Sequence, residues 1–354
     1  MAGLTHGRPE AVGLDPHRLH IAGQLAANLV EQGTIPAAGI AVARHGLLVY
    51  RGAWGHTRRE PPVAASIDAL FAVASVTKPL TATAIMVLVS EGVLDLDAPV
   101  CAVIPPFGAR GKDRITIRHL LTHTSGIDDT SMPTTPAATT EEHLARICAL
   151  PALHAPGTRY AYCNAGYRLF GDIITRVTGA RHETFFRQRL LAPLQMHRSM
   201  LRPDPSIIEH VAQVDRQPPW LMASLCASGS TAGGLFSTVV DLLRLGQLFL
   251  DGGMGPDGRI LSERCIRSMT SDQAEGARNR MGQVVAQGFG WMLRPRQRFS
   301  ARASPRVYAH PGATGTWLVV EPDLDLVVAF VANRWGWSGY GRRQVLDAVL
   351  DAVA

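Results

Sequence analysis

Lysine is scarce in this sequence. Of its 35 basic residues only Lys78 and Lys112 are lysines, and the arginines are scattered along the 354 residues. A run of basic residues interleaved with aromatic ones, which is typical of nucleic-acid-binding surfaces, is absent although the formal net charge is +6. The composition therefore argues against a nucleic-acid partner and indicates an arginine-rich solvated surface.

Long apolar segments, paired cysteines and metal-binding motifs are also lacking. The longest apolar stretch, Pro79–Leu94, is interrupted by polar residues and is too short to cross a bilayer. No basic segment followed by an apolar one precedes it at the N-terminus, so we expect no signal peptide and a cytoplasmic location. The five cysteines form no C-x-x-C pair, and no H-E-x-x-H is present. We therefore expect no disulfide framework, metal, cofactor or membrane partner.

Segments of β-type sequence lie at the two ends of the chain, and segments of helical periodicity lie in the middle. The predicted strands are Ala38–Ala43, Leu47–Ala53, Arg306–Ala309, Thr316–Val320 and Leu326–Ala332. The predicted helices include Pro16–Gln32, Val76–Glu91, Ile117–Leu121, Thr140–Leu150, Tyr167–Thr178, Glu183–Leu191, Thr238–Leu250 and Gly341–Val353. We predict an α+β fold in which residues 1–66 and 288–354 form an antiparallel sheet with flanking helices. Residues 67–287 form an inserted, mainly helical domain, with the active site in the cleft between the two.

The first motif with chemical meaning is S-x-x-K, formed by Ser75 and Lys78 at the start of a predicted helix. Residues three apart share a helix face, so the lysine amine can approach the serine hydroxyl. A desolvated lysine can titrate low enough to act as a base. The motif alone is also what a helix cap followed by a surface lysine would look like, so its meaning depends on the motifs that accompany it.

Two further motifs accompany S-x-x-K and favour its catalytic interpretation. Tyr162 and Asn164 form Y-x-N, in which a phenolate can exchange a proton with serine and an amide can bind lysine and substrate. Tyr160 is the rival tyrosine, but it has no asparagine two residues later. His310, Gly312 and Ala313 follow as H-P-G-A at the end of a predicted strand, where glycine permits close approach of a substrate. The N–H groups of Ala313 and Ser75 would then form an oxyanion hole.

In this order and spacing the three motifs resemble those of the serine β-lactamase and penicillin-binding-protein superfamily, specifically the esterases and transacylases related to class C β-lactamases. The flanking segments Leu120–Gly126, Ala232–Thr238 and His310–Trp317 share the likeness, which extends from about Pro16 to the final helix. The resemblance implies a β-lactamase/transpeptidase-like fold. It also implies that Ser75 is the nucleophile, that Lys78 and Tyr162 share the role of base, and that Asn164 positions lysine and substrate. Which of the two bases accepts the first proton stays open.

The departure from the lactamase pattern is His310, which stands where a lysine would supply a permanent cation for a substrate carboxylate. We therefore favour hydrolysis of a small-molecule carboxylic ester or amide through an acyl-enzyme. The alternative is transfer of the acyl group to an alcohol or amine acceptor in biosynthesis. Cleavage of β-lactams or D-alanyl peptides is favoured less. A non-catalytic binding protein is favoured least, because it would not need Ser75, Lys78 and Tyr162 together. The sequence indicates no particular acyl donor, acceptor or oligomeric state.

Overall fold

The computed structural model describes residues 4–131, 139–295, 299–337 and 340–353. The strands are β1 (Thr5–His6), β2 (Ala37–Arg44), β3 (Leu47–Arg58), β4 (Val63–Ala64), β5 (Phe71–Ala72), β6 (Met200–Leu201), β7 (Leu235–Ser237), β8 (Met254–Gly255), β9 (Gly258–Arg259), β10 (Met292–Leu293), β11 (Tyr308–Pro311), β12 (Trp317–Glu321) and β13 (Leu326–Ala332). The helices are α1 (Pro16–Glu31), α2 (Thr77–Ser90), α3 (Ile117–Leu121), α4 (Thr140–Ala149), α5 (Asn164–Thr178), α6 (His182–Phe186), α7 (Pro205–Ile208), α8 (Leu221–Ser228), α9 (Val239–Leu250), α10 (Glu263–Met269) and α11 (Tyr340–Asp351).

The main sheet joins the two ends of the chain. Within the described residues its strand order is β1-β3-β2-β13-β12-β11-β10, and β4 pairs with the C-terminal end of β3. The central pair is β2 and β13, which run antiparallel from Ala38 opposite Ala332 to Arg44 opposite Leu326. All neighbours are antiparallel except β1 and β3. The predicted α+β class, with an antiparallel sheet built from both termini, is confirmed.

Both faces of the sheet are covered, and the alternation of side chains along β13 shows how. Val327, Ala329 and Val331 point into a large core shared with the helical middle of the chain. Leu326 and Phe330 point to the opposite face, into a second core with α1 and α11. Helix α9 lies on the first face, and it approaches so closely that a Cβ added at Gly246 would lie 2.4 Å from Val327. A larger residue at that position would push the helix off the sheet.

The predicted helices of the middle region are confirmed, but the predicted helix Glu183–Leu191 is divided into α6 and a π-helical segment, Arg187–Leu191. Helix α5 starts earlier than predicted. The prediction began this helix at Tyr167, whereas it begins at Asn164. A small sheet of order β5-β7-β6 was not predicted, because its strands have only two or three residues and no visible alternation. The domain boundaries at 66/67 and 287/288 stay a prediction. Among the described helices none combines the length and the apolarity needed to cross a membrane.

Candidate active site

Ser75 lies in a short 3-10 turn, Ala74–Val76, immediately before α2. Ala74 has a φ of +49°, a left-handed conformation that is strained for a residue with a Cβ. The turn is held on both sides, because the Val73 N–H donates to the Leu235 carbonyl at 3.0 Å and the Thr77 hydroxyl donates to the Ala74 carbonyl at 2.6 Å. The backbone around the serine is therefore fixed before any substrate binds.

Lys78 is the second residue of α2, and its side chain is completely buried. Its amine donates to the Asn164 side-chain oxygen at 2.9 Å and to the Ala232 carbonyl at 2.8 Å. The Ser75 hydroxyl lies 3.4 Å from the same nitrogen. The S-x-x-K spacing thus brings the amine to the serine, although Ser75 belongs to the turn and Lys78 to the helix.

Burial lowers the pKa of Lys78 to about 7, since the low-dielectric surroundings disfavour the ammonium form. Asp129 opposes this shift, because its negative charge raises the pKa of the lysine, and the positive charge of Arg168 lowers it further. A large fraction of the lysine is consequently neutral at neutral pH. A neutral amine has a lone pair with which it can accept the serine proton.

Tyr162 lies above the lysine, with its ring centre 4.7 Å from the amine nitrogen. The His123 ring packs against the tyrosine at 4.4 Å between ring centres, and the Nδ1 atom of His123 accepts a hydrogen bond from the Cys163 N–H at 3.1 Å. Burial, helped by the nearby Lys78 and His310, holds the pKa of His123 well below its usual value, so the ring is neutral. His123 belongs to the segment Leu120–Gly126 that shares the family likeness, and the structure places its ring directly against the tyrosine.

Asn164 is held by a carboxylate that the sequence analysis missed. Asp129 accepts the N–H of Asn164 and the N–H of Ala165, each at 2.8 Å. A carboxylate at this place satisfies the free N–H groups of the first helical turn and favours an early start of α5. The side chain of Asn164 is thereby directed at Lys78. No local pattern could have revealed this, because Asp129 and Asn164 are 35 residues apart.

The H-P-G-A motif forms the opposite wall. His310 is buried in β11, with its Nδ1 atom 2.9 Å from the Pro311 carbonyl. Gly312 passes so close to the turn before the serine that an added Cβ would lie 2.2 Å from the Val73 carbonyl oxygen. The Ala313 carbonyl accepts the Gly336 N–H at 2.7 Å, which ties this wall to the segment after β13. Only glycine fits at position 312.

A cavity of about 370 Å³ opens between these elements. Its wall includes the predicted site residues Ser75, Tyr162, His310, Gly312 and Ala313. Tyr160, Met292, Trp337 and Arg342 complete much of the lining. Arg342 belongs to α11, is only 4% exposed, and stacks over Phe299 with its guanidinium 5.6 Å from the ring centre. The sequence analysis missed this cation, because an arginine in a C-terminal helix resembles a surface residue.

The arrangement therefore joins a fixed serine, a partly neutral buried lysine and a tyrosine at the edge of one cavity. These groups suffice for nucleophilic attack and for proton transfer. Among the described residues, no group of three or more His, Cys, Asp or Glu side chains is arranged to hold a metal ion.

Comparison with known proteins supports the family resemblance that the three motifs indicated. The model of the Beta-lactamase family matches residues 22–351. Penicillin-binding protein 4 of Amycolatopsis lactamdurans is 32% identical over 84% of this chain and 81% of its own length. An octameric penicillin-binding protein homologue from Pyrococcus abyssi has a TM-score of 0.78 at 25% identity, covering 94% of this chain and 77% of the other. EstCE1, described as a hydrolase with promiscuous acyltransferase activity, has a TM-score of 0.81 at 22% identity and covers 94% of this chain and 99% of its own. The chain belongs to the Beta-lactamase family and is a hydrolase of its serine-dependent type.

Proposed function

We propose that the protein forms an acyl-enzyme on Ser75 and cleaves a small carboxylic ester or amide. The observation that carries this proposal is the completely buried Lys78 amine, which lies 3.4 Å from the serine hydroxyl and has a pKa of about 7. Burial beside a hydroxyl leaves this lysine partly neutral. It is well suited to accept a proton at neutral pH.

In the proposed reaction, the Ser75 oxygen attacks the substrate carbonyl while its proton passes to Lys78 or to a Tyr162 phenolate. The N–H groups of Ser75 and Ala313 stabilise the oxyanion of the tetrahedral intermediate. The proton then moves to the leaving alcohol or amine, and the carbonyl–heteroatom bond breaks. Water then attacks the carbonyl of the acyl-enzyme and gives its proton to the same base. The proton passes to the Ser75 oxygen as the ester bond breaks, which releases the carboxylic acid and restores the free serine. The amide of Asn164 keeps the lysine directed at the serine throughout.

Arg342 supports a narrower second candidate, the cleavage of substrates that carry a carboxylate. Because His310 replaces a lysine, the sequence predicted that the cavity lacks a permanent cation for a substrate carboxylate. The guanidinium of Arg342, on α11, supplies such a cation to the same cavity wall. Arginine pairs well with a carboxylate in a desolvated pocket. The likeness to a penicillin-binding protein agrees with this candidate.

Intact-protein mass spectrometry tests the main proposal. Wild type and Ser75→Ala are mixed briefly with p-nitrophenyl butyrate, with and without added alcohols and amines. We expect an acyl adduct that requires Ser75 and clears in water. An adduct that persists until an acceptor is added would favour acyl transfer. Absence of both adduct and turnover with esters and with a chromogenic cephalosporin would contradict the acyl-enzyme proposal.

A matched pair of substrates tests the narrower candidate. p-Nitrophenyl butyrate and p-nitrophenyl hemisuccinate have acyl chains of similar length, but only the hemisuccinate carries a charge. If Arg342 binds a carboxylate, Arg342→Gln raises KM about tenfold or more for the hemisuccinate and little for the butyrate, as expected for one charged hydrogen-bonded pair. Equal effects on both esters would show that Arg342 only shapes the cavity.

A further inference from the structure

A second cavity lies behind helix α5 and shares no lining residue with the catalytic cavity. We call it the back cavity. Its wall is formed by the outer face of α5 at Arg168, Asp172 and Arg176, by the start of α4, and by residues 224–231. Its volume is about 570 Å³, which lies within the range of sites that bind small molecules.

Arg168 is a half-buried charged residue of the back-cavity wall. One of its terminal nitrogens donates to His143 at 3.2 Å. Burial, followed by the charge of Arg168, lowers the pKa of His143 to about 4, so the histidine is a neutral partner. The Nε atom of Arg168 is buried and has no hydrogen-bond partner among the described residues. Because that atom has almost no accessible surface, a ligand in the cavity would have to bind the terminal nitrogens, and His143 is their one hydrogen-bond partner among the described residues.

The other charges of the wall limit what that acceptor can be. Asp172 and Glu141 are acidic, and burial raises the pKa of Asp172 to about 6. Arg202 also lines the cavity and is already paired with Glu183 at 3.3 Å. The two acids repel a dianion such as phosphate more strongly than a monoanion, and a single carboxylate matches the planar array of terminal nitrogens of Arg168.

We propose that the back cavity binds a small organic monocarboxylate through Arg168. The site lies close to the catalytic groups, although it is separate from them. Arg168 is one helical turn beyond Asn164 on α5. Thr231 of the cavity wall donates its hydroxyl proton to the Tyr167 carbonyl at 2.8 Å, and it directly precedes Ala232, which accepts from Lys78. This assignment does not depend on the proposed esterase activity.

Benzoate is a suitable probe, with benzyl alcohol as the neutral control, and binding to the full chain is followed by calorimetry. We expect benzoate to bind, benzyl alcohol not to bind, and Arg168→Gln to weaken benzoate binding at least tenfold. The matched control is Arg267→Gln on α10, which lines neither cavity and should leave benzoate binding unchanged. Loss of binding in Arg342→Gln, in the catalytic cavity, with retention in Arg168→Gln would overturn the proposal, and so would absence of binding at millimolar benzoate.

A second variant tests the same site in case Arg168→Gln fails to fold. Ser224→Trp fills the back cavity from α8 and leaves the arginine in place, so it should also abolish benzoate binding. Retained binding in a folded Ser224→Trp protein would contradict the site. Inorganic phosphate is the last comparison, since we expect it to bind more weakly than benzoate. Phosphate binding as tight as that of benzoate would overturn the choice of a monocarboxylate.

Discussion

The two lysines of the chain make a natural comparison, because both side chains are completely buried. Lys112 donates to the carbonyls of Cys148 and Leu150, at 2.9 and 2.5 Å, where α4 ends. Lys78 donates to an amide oxygen and a carbonyl, but it also faces the hydroxyl of Ser75. In both cases burial lowers the pKa.

The difference lies in what each amine can exchange a proton with. Carbonyl oxygens at a helix C-terminus only accept hydrogen bonds, and their partial negative charge favours the ammonium form. Lys112 is therefore a structural cap for the end of α4. Lys78 meets a hydroxyl that can lose its proton and a cavity from which a substrate can arrive. Burial alone does not make a lysine a base; a proton donor within reach is also needed.

The largest expected effect is that of Lys78→Met. It removes the proposed base, and we expect the acylation rate to fall by about 10³-fold, within the range for general base catalysis. The same substitution at Lys112 should leave the rate nearly unchanged. The burst of p-nitrophenol from p-nitrophenyl butyrate measures both variants. Similar losses of rate at the two positions would remove the functional distinction between the lysines.

Tyr162→Phe comes next. It keeps the ring that packs on His123 and removes only the hydroxyl, so we expect kcat to fall about 100-fold with little change in KM. Tyr160→Phe is the matched control, because Tyr160 lines the same cavity. A rate close to wild type in Tyr162→Phe would remove the tyrosine from the proposed mechanism, and Lys78 alone would remain as the base.

Lys112→Met should lower the stability of the fold more than Lys78→Met, which is the reverse of the order expected for the losses of rate. In Lys112→Met the two carbonyls at the end of α4 lose their donor in a dry environment. We expect the free energy of unfolding to fall by about 2 kcal/mol. Lys78→Met should cost less, because burial already disfavours the charged amine at this position, as its lowered pKa of about 7 shows, and the substitution relieves that cost. Urea denaturation measures both, and a larger loss in Lys78→Met would contradict this order.

The pH dependence of the acylation rate tests whether the neutral amine of Lys78 is the active form. The active form of Lys78 is the neutral amine, and its lowered pKa is about 7. The acylation rate should therefore rise with pH, by about tenfold between about pH 6 and about pH 8, and then level off. Asp129 raises the pKa of this lysine, so Asp129→Asn should move the rise to lower pH. A rise that stays in place, or moves to higher pH, would show that another group controls it.

The sequence predicted those parts of the site that depend on local spacing. Ser75 and Lys78 are three residues apart, and Tyr162 and Asn164 are two apart, so each pair is visible as a motif. Asp129, His123 and Arg342 act through contacts between distant segments, and their local sequences are typical of loops and surface helices. The main sheet was predictable because its buried strands are long, whereas the two- and three-residue strands of β5, β6 and β7 carry no pattern. The roles assigned to the predicted site residues stay a prediction until the variants are measured.

The burial of both lysines also has a practical consequence. Amine-reactive reagents find no accessible lysine in the folded protein. Each lysine can react only when its surroundings open. The labelling rates of Lys78 and Lys112, resolved by peptide mass, would therefore report separately how often the catalytic cleft opens and how often the end of α4 unravels.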